Sequence, residues 1–235
     1  MTGLTEKADG VSTPAHLEAE RAQQRWEESM LRQIEALRQE MRGRPPEKVA
    51  SLAGATVTGR GLSLPYWGRT VLLDWPDLEP RWADDSQPCS AFDAAMLLYY
   101  LRSADGTPMA DRWISFRELP GGTFYVLAYQ RYSGDRLAHA FGSDPAAFDV
   151  ACRSLSGWPL PAISPHAFAF QPLPRIRLAA VLWPGDEEFA PKAHIVFDAA
   201  ASHYMTTDGL GLLGGGLAGR LTRKTRKEAS PDRPG

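Results

Sequence analysis

Residues Leu173–Leu221, LPRIRLAAVLWPGDEEFAPKAHIVFDAAASHYMTTDGLGLLGGGLAGRL, decide the fold of this 235-residue chain. They predict a strand, an acidic loop, a second strand, a turn and a glycine-rich helix. Within residues 167–183 apolar side chains recur at every second position, which is the period of a strand with one buried face. Residues 193–198 show the same alternation, and residues 205–224 predict the last helix. Two such strands joined by a short loop indicate an antiparallel pair.

The faces of these two strands constrain their pairing. Even-numbered apolar residues of the first strand must oppose odd-numbered apolar residues of the second, because a slip by one residue would turn the core side chains outward. We prefer the register that also sets Arg177 opposite Asp198 as an ion pair on the other face, and we expect Asp198→Asn to change stability little. The remaining pairs in that register are Leu178 with Phe197, Ala180 with Ile195, and Val181 with His194.

Other segments complete an α+β pattern. Residues 89–104 are apolar on nearly all faces and predict a central core helix capped by Ser90. Helices are predicted near residues 122–142 and 145–156, and short strands and turns over residues 47–83. Strands and helices mix without a βαβ order, so we expect an α+β fold: a small antiparallel sheet with a central apolar helix and flanking helices, plus a long N-terminal amphipathic helix.

The N-terminal segment carries a single apolar stripe. Thr13 and Pro14 suit the start of a helix, and the Pro45-Pro46 pair ends it. One interpretation packs this helix along its own domain. The other uses the stripe for self-association or for a protein partner, since its spacing resembles a coiled-coil seam. We expect the helix to be semi-independent of the domain. The stripe consists of Ala22, Trp26, Met30, Ile34, Leu37 and Met41.

Charge is distributed unevenly along the chain. Residues 51–219 carry twelve basic and seventeen acidic groups, whereas residues 220–235 carry six basic and two acidic groups. A nucleic-acid-binding domain normally shows a basic face, so nucleic acid is not an expected partner. The predicted organisation is 1–12 disordered, 13–46 N-terminal amphipathic helix, 47–221 single globular α+β domain and 222–235 basic flexible tail.

Several kinds of chemistry lack their sequence signatures. Cys89 and Cys152 have no paired spacing, which argues against a zinc site or a disulfide framework. The histidines are scattered without an H-E-x-x-H motif, and no G-x-S-x-G occurs. No secretory signal or membrane-length apolar run is present, so we expect a soluble cytoplasmic protein. We predict no cofactor and favour a non-catalytic role.

The glycine-rich helix formally matches the dinucleotide motif G-x-G-x-x-G at Gly209, Gly211 and Gly214. That motif requires a second parallel strand and an acidic residue about 20 positions further on. Only 21 residues follow Gly214, and they form a charged segment. Close packing of the helix against a neighbour is therefore the better explanation of its glycines.

Two site hypotheses remain. The preferred one is a non-catalytic accessory or binding protein with an aromatic surface, although a hairpin core would explain the same aromatic residues. The alternative is an enzyme or metal-cofactor-associated protein with an acidic site near Asp186 and Asp198. Asp186 and Glu188 are weak metal candidates, because hard cations prefer clustered carboxylates. The binding-surface candidates are Tyr66, Trp67, Arg69, Trp75 and Trp82.

Four blocks in order carry a family resemblance. They are CSAFDAAMLLYYL, WISFRELPGGTFY, LPRIRLAAVLWPGDEEF and HIVFDAAASHYMTTDGL. Together they resemble the prokaryotic domain-of-unknown-function family 3786 over about residues 50–221. The resemblance implies a shared fold and supplies no catalytic residues. Some members of that family are joined to a cysteine-rich iron–sulfur segment, and this chain has no such cysteines.

Overall fold

The computed structural model describes residues 14–228. It confirms the α+β class, with two antiparallel sheets where one was predicted. One sheet has the order β1-β2-β3-β4 and the other the order β5-β9-β8-β7-β6. The strands are β1 Thr56–Thr58, β2 Gly61–Tyr66, β3 Arg69–Asp74, β4 Pro80–Trp82, β5 Trp113–Ser115, β6 Trp158–Pro159, β7 His166–Leu173, β8 Ile176–Trp183 and β9 Lys192–Asp198. The helices are α1 Pro14–Met41, α2 Pro46–Ala53, α3 Ala91–Ser103, α4 Val126–Tyr132, α5 Gly134–Phe141, α6 Pro145–Ser154 and α7 Thr207–Glu228.

The β8–β9 hairpin has the predicted register. Leu178 pairs with Phe197, and Ala180 pairs with Ile195. The single long strand predicted over residues 167–183 is wrong, because it is two strands, β7 and β8, joined by a tight turn. Leu173 pairs with Ile176 across this turn. Both strands are buried along most of their length, β7 against α6 and β8 against α5.

Helix α3 lies at the centre of the core. Its cap is the predicted one, since the Ser90 hydroxyl accepts a hydrogen bond from the Asp93 backbone N–H at 3.1 Å. Most of its length is buried, as its near-continuous apolar sequence predicts. Nearly all of its faces therefore meet other elements, which include α1, α2 and α7.

Helix α1 packs along α3. The Tyr99 hydroxyl donates to the Gln33 side chain at 2.9 Å, and Arg102 pairs with Glu40 at 2.6 Å. The apolar stripe is buried over its second half, at Met30, Ile34, Leu37 and Met41. These contacts favour the interpretation in which the helix packs along its own domain, and the semi-independence of the helix stays a prediction. The side chains of Ala22 and Trp26 and the predicted disordered segment 1–12 lie outside the described residues.

The glycines of α7 form a packing face for aromatic rings. A Cβ atom added at Gly214 would overlap the Tyr129 hydroxyl, and one at Gly215 would lie 2.8 Å from the Tyr132 ring. A Cβ at Gly211 would lie 3.0 Å from the Tyr132 hydroxyl and 3.3 Å from the Phe116 ring. The close-packing interpretation of the glycine motif is confirmed. The helix continues to Glu228, four residues beyond its predicted end.

The segment predicted as one helix over residues 122–142 is broken. A short 3-10 turn at Gly122–Phe124 precedes α4, and Ser133 separates α4 from α5. The Ser133 hydroxyl donates to the Tyr129 carbonyl at 2.6 Å, which closes α4. A Cβ at Gly134 would overlap the Ala193 carbonyl, so only glycine lets α5 begin so close to β9. Helix α2 was also missed, since this segment was predicted as strands and turns.

Candidate functional site

The predicted aromatic candidates on the β2–β3 hairpin lie together but largely buried. Tyr66 is fully buried, and its hydroxyl donates to the Asp93 carboxylate at 2.9 Å. Its ring stacks on Trp82 at 6.1 Å and meets Trp67 edge-on at 6.4 Å. Burial, and then the nearby Asp93 charge, raises the pKa of Tyr66 well above its ordinary value. The residue therefore acts as a neutral hydrogen-bond donor in the core.

We call Tyr66, Trp67, Arg69, Trp75 and Trp82 the hairpin cluster. The positively charged side chains at this cluster are also paired within the chain. The Arg69 guanidinium lies 3.9 Å from the Trp82 ring centre and binds Asp84 at 2.5 Å. Arg220 lies over Trp67 at 4.8 Å. Trp75, at the end of β3, is half-buried against the same core. The hairpin-core alternative describes these contacts, and a ligand-binding role for this cluster stays a prediction.

The acidic candidates do not form one site. Asp186 lies in the β8–β9 loop, where its carboxylate accepts hydrogen bonds from the backbone N–H groups of Glu188 and Phe189 at 2.9 and 2.7 Å. Asp198 lies at the far end of β9, about 20 Å along the strand from Lys192. Across residues 14–228, no group of three or more His, Cys, Asp or Glu residues is arranged to hold a metal ion.

Asp198 is a buried anchor for a neighbouring loop. Only 2% of its surface is exposed, and its carboxylate accepts from the backbone N–H groups of Ala110, Asp111 and Ala200 at 2.8–2.9 Å. Arg177 instead pairs with Asp111 at 2.5 Å. The predicted Arg177–Asp198 ion pair is wrong, because the chain before β5 crosses this face of the sheet and supplies closer partners for both charges.

The thiols are poorly suited to nucleophilic chemistry. Burial raises the pKa of Cys89 to about 12, with the Asp93 charge adding to the effect. Burial raises the pKa of Cys152 further above its ordinary value. The thiolate is the reactive form, and it is scarce at neutral pH for both groups.

The main feature that sequence reasoning missed is an exposed apolar ridge at the start of α4. We call Phe124, Tyr125 and Leu127 the apolar ridge. Their side chains are 87%, 58% and 77% exposed. Tyr129, two residues further along, is buried against α7, so the packing that holds α4 also turns the ridge outward. Contiguous exposed apolar side chains of this size mark interaction surfaces in soluble proteins.

Beside the ridge lies a groove between α4 and β9, of about 340 Å³. The groove opens where β5 ends at Ser115. Beyond Ser115 the chain leaves the sheet, and the neighbouring part of β9 is not paired with β5. Most of its surface comes from apolar side chains. The α4–β9 groove is lined by Ser115, Phe116, Arg117, Val126, Leu127, Tyr129, Gln130, Trp183, His194, Ile195 and Val196.

Gln130 holds the groove wall in place. Its amide nitrogen donates to the Asp135 carboxylate at 2.8 Å and to the Ala193 carbonyl at 2.9 Å. Its oxygen then accepts from His194 Nδ1 at 3.0 Å, which requires the proton on that nitrogen. His194 meets Trp183 edge-on at 5.5 Å. Burial is the main reason that the pKa of His194 is lowered, so the imidazole is neutral at pH 7.

The rim of the groove is basic. Arg117 lines it, Arg131 follows Leu127 by one helical turn on the same face of α4, and Lys192 lies directly across from Trp183. Among the residues that the structure describes, these three side chains take part in no ion pair. These three positive charges lie beside the Asp135 carboxylate that Gln130 binds, in a predicted domain that is net acidic.

A second depression lies on the other side of the ridge. Its volume is about 370 Å³, and Phe124 and Tyr125 form part of its wall. Asp208 is its charged lining residue. The ridge therefore stands between a basic, apolar groove and a more polar depression.

A family model described as a domain of unknown function, DUF3786, matches residues 45–220. The chain belongs to this family. The match confirms the resemblance seen in the sequence blocks. Neither a curated protein nor a solved structure matches the chain. No helix in the described part of the chain is long and apolar enough to cross a membrane.

The groove and the ridge lie entirely inside the region shared with the DUF3786 family. One local signal pointed to the ridge. The run Phe124-Tyr-Val-Leu follows the Pro120-Gly-Gly break after one residue, Thr123, and such a run opening a short helix leaves some of its side chains outside the core. The groove itself had no local signal, because its walls come from segments that are up to eighty residues apart.

Proposed function

We propose that this chain is a non-catalytic binding domain whose α4–β9 groove receives an apolar side chain from an acidic segment of a protein. The observation that carries the proposal is the apolar ridge, with Phe124 and Leu127 more than three-quarters exposed beside an apolar groove. Leaving these side chains in water costs free energy that a bound segment would recover, at about 25 cal/mol per Å² of apolar surface buried.

The shape of the site supports a protein segment as the ligand. The groove is open and has room for one or two side chains, while the ridge next to it offers a further apolar contact. A peptide presents apolar side chains at regular intervals, so one segment fills the groove with one residue and covers Leu127 with the next. Groove-bound helices and extended peptides use such spaced anchors.

The charges at the rim support an acidic segment. Arg117 lines the groove, Lys192 lies opposite the lining residue Trp183, and Arg131 follows Leu127 by one helical turn, all three without ion-pair partners among the described residues. An acidic segment would pair with them and be drawn to this end of a domain that is otherwise net acidic. A basic segment would be repelled here, so the rim also sets specificity.

The groove offers binding without an evident catalytic set. Its titratable side chains include His194, whose Nδ1 already binds Gln130 and whose Nε2 is the remaining free ring nitrogen. A nucleophile–base pair would require a hydroxyl or thiol within about 3 Å of that nitrogen. This favours binding over chemistry as the role of the groove.

The test uses a fluorescein-labelled synthetic peptide of alternating glutamate and phenylalanine residues. We expect wild-type protein to bind it and Leu127→Ser to weaken binding by about tenfold or more, since a buried leucine contributes about 1.5–3 kcal/mol. Val150→Ser is the matched control, because Val150 is 54% exposed on α6 and lies outside the groove lining. Failure of the peptide to bind, or equal binding by Leu127→Ser and wild type, would overturn the proposal.

A further inference from the structure

We infer that the segment that enters the groove is the acidic loop of a second copy of this chain, so that two copies form a twofold dimer. The acidic loop is residues 184–191, which join β8 to β9. This inference rests on the proposed function and names its partner. Its grounds are the chemistry of the loop, its place beside the groove and the complementary charges of the two features.

The acidic loop has the composition that the groove requires. Phe189 is 66% exposed, and Glu187 and Glu188 next to it are exposed as well. A single exposed phenylalanine flanked by carboxylates matches an apolar groove with a basic rim. The same loop was a weak metal candidate in the sequence, but it contributes to no metal-holding group among the described residues, and Asp186 is held by backbone N–H groups of the loop.

The loop is held in shape before any partner arrives. The Asp186 N–H donates to the Phe189 carbonyl at 3.0 Å, which closes the turn. The Gly185 N–H donates to the carbonyl of Gly142 at 3.3 Å, which ties the loop to the end of α5. Pro191 packs where a side chain at Gly142 would stand. Little conformational entropy is therefore lost when the loop docks.

The loop does not fill the groove of its own chain. Phe189 is absent from the groove lining, and the tie to Gly142 turns the loop toward α5. Yet the loop begins directly after Trp183, which does line the groove. Groove and loop thus lie side by side on one surface. A twofold axis through such a surface brings each loop to the groove of the other copy, as an isologous dimer requires.

The expected dimer is weak. Three aromatic side chains per copy would be covered, and at their present exposures Phe124, Trp183 and Phe189 from two copies bury on the order of 800 Å². Stable interfaces bury at least about 1,200 Å². The aromatic side chains alone therefore fall about a third short of that area, and Leu127 and the charged rim add to it. We therefore expect association in the micromolar range that falls as salt is added, because charge pairs at the rim are screened.

A charge swap tests the inference by sedimentation equilibrium of the full chain. One variant carries Arg117→Glu and Arg131→Glu in the groove, and the other carries Glu187→Arg and Glu188→Arg in the loop. Each variant alone sets like charges against each other at both contacts of the dimer. We expect each to dimerise at least about tenfold more weakly than wild type. Mixed together, the two variants restore both contacts, so the mixture should dimerise as strongly as wild type.

Three results would overturn the inference. They are a wild-type chain that stays monomeric at the highest concentration it tolerates, variants that dimerise like wild type, and a mixture that gains nothing over its components. The peptide assay separates this failure from that of the proposed function. A monomeric chain whose groove still binds the glutamate–phenylalanine peptide keeps the proposed function and loses only the second copy as partner. A chain that neither dimerises nor binds the peptide loses both.

Discussion

The β2–β3 hairpin and the start of α4 are both rich in aromatic residues, yet they use them in opposite ways. In the hairpin cluster, Tyr66 stacks on Trp82 and donates to Asp93, and Arg69 covers the outer ring. In the apolar ridge, Phe124 and Leu127 extend into solvent. The hairpin cluster packs its aromatic side chains within the chain, whereas the apolar ridge leaves its side chains exposed to solvent.

The contrast has a local physical cause. The hairpin cluster meets α3 at the Tyr66–Asp93 hydrogen bond and α7 at Arg220, which lies over Trp67. Helix α4 is short and is held along one face, by Tyr129 against the glycines of α7 and by Gln130 against β9. A short helix held along one face must expose the residues of its opposite face. A high density of aromatic residues in a sequence therefore does not identify a binding surface. What identifies it is how few helices and strands pack over those residues in the fold.

The largest expected effect distinguishes the two regions by stability. Tyr66→Ala should lower the free energy of unfolding by about 3–5 kcal/mol, because it empties a buried aromatic site. Phe124→Ala should stay within about 0.5 kcal/mol of wild type, because the ring is already in water. Urea unfolding followed by far-ultraviolet circular dichroism measures both. A large loss for Phe124→Ala would mean that the ridge belongs to the core.

A second prediction compares buried and exposed carboxylates. Asp198→Asn should cost roughly 2–3 kcal/mol, because three buried backbone N–H groups lose a charged acceptor. Asp186→Asn, in the exposed acidic loop, is the control and should cost less than about 1 kcal/mol. The same unfolding assay measures both variants. Equal small effects would instead support the expectation from the sequence that Asp198→Asn changes stability little.

A third prediction concerns the anchor of α4. Gly214→Ala should destabilise by about 1–3 kcal/mol, because the added methyl group meets the buried Tyr129 ring and hydroxyl. Gly216→Ala should instead be neutral or stabilising by up to about 1 kcal/mol, since its new methyl group would make only an ordinary contact with the Phe92 ring at 4.0 Å and alanine favours the helix. Thermal unfolding of the pair checks this. Equal melting temperatures would contradict the close packing.

The smallest effect is a pH dependence from His194. The folded-state pKa of His194 lies below the unfolded value of about 6.5. The contribution of His194 to stability is therefore complete above the unfolded value, and it is lost as the pH falls from there through the folded-state pKa. We expect unfolding free energy measured from pH 8 to pH 5 to decline at the acid end. In His194→Gln the decline should be shallower. An unchanged profile in that variant would assign the decline to other groups.

The sequence was sufficient where a periodic pattern met a local signal. The pairing of Leu178 with Phe197 followed from matching alternations, and the start of α3 followed from Ser90. It was insufficient where partners came from distant segments. The Ala110 and Asp111 N–H groups that bind Asp198, and the α3 surface that buries the stripe of α1, leave no mark in the local pattern of those residues.

The candidate functional site was even harder to predict from the sequence than the fold. The sequence pointed to Tyr66 and Trp67 because tryptophans and tyrosine crowd together there, but crowding on a hairpin also describes a covered cluster. The ridge at Phe124 had a weaker sequence signal. The α4–β9 groove depends on where β5 ends relative to β9, which is set by tertiary packing and not by either segment alone.

Hydrogen exchange with mass spectrometry compares the two regions directly. The dilute wild-type chain is measured with and without the glutamate–phenylalanine peptide. We expect the peptide to slow exchange over residues 122–132 and 183–196 and to leave residues 60–83 unchanged. Slowed exchange confined to residues 60–83 would show that the hairpin cluster is the binding surface and would contradict the role assigned to the groove.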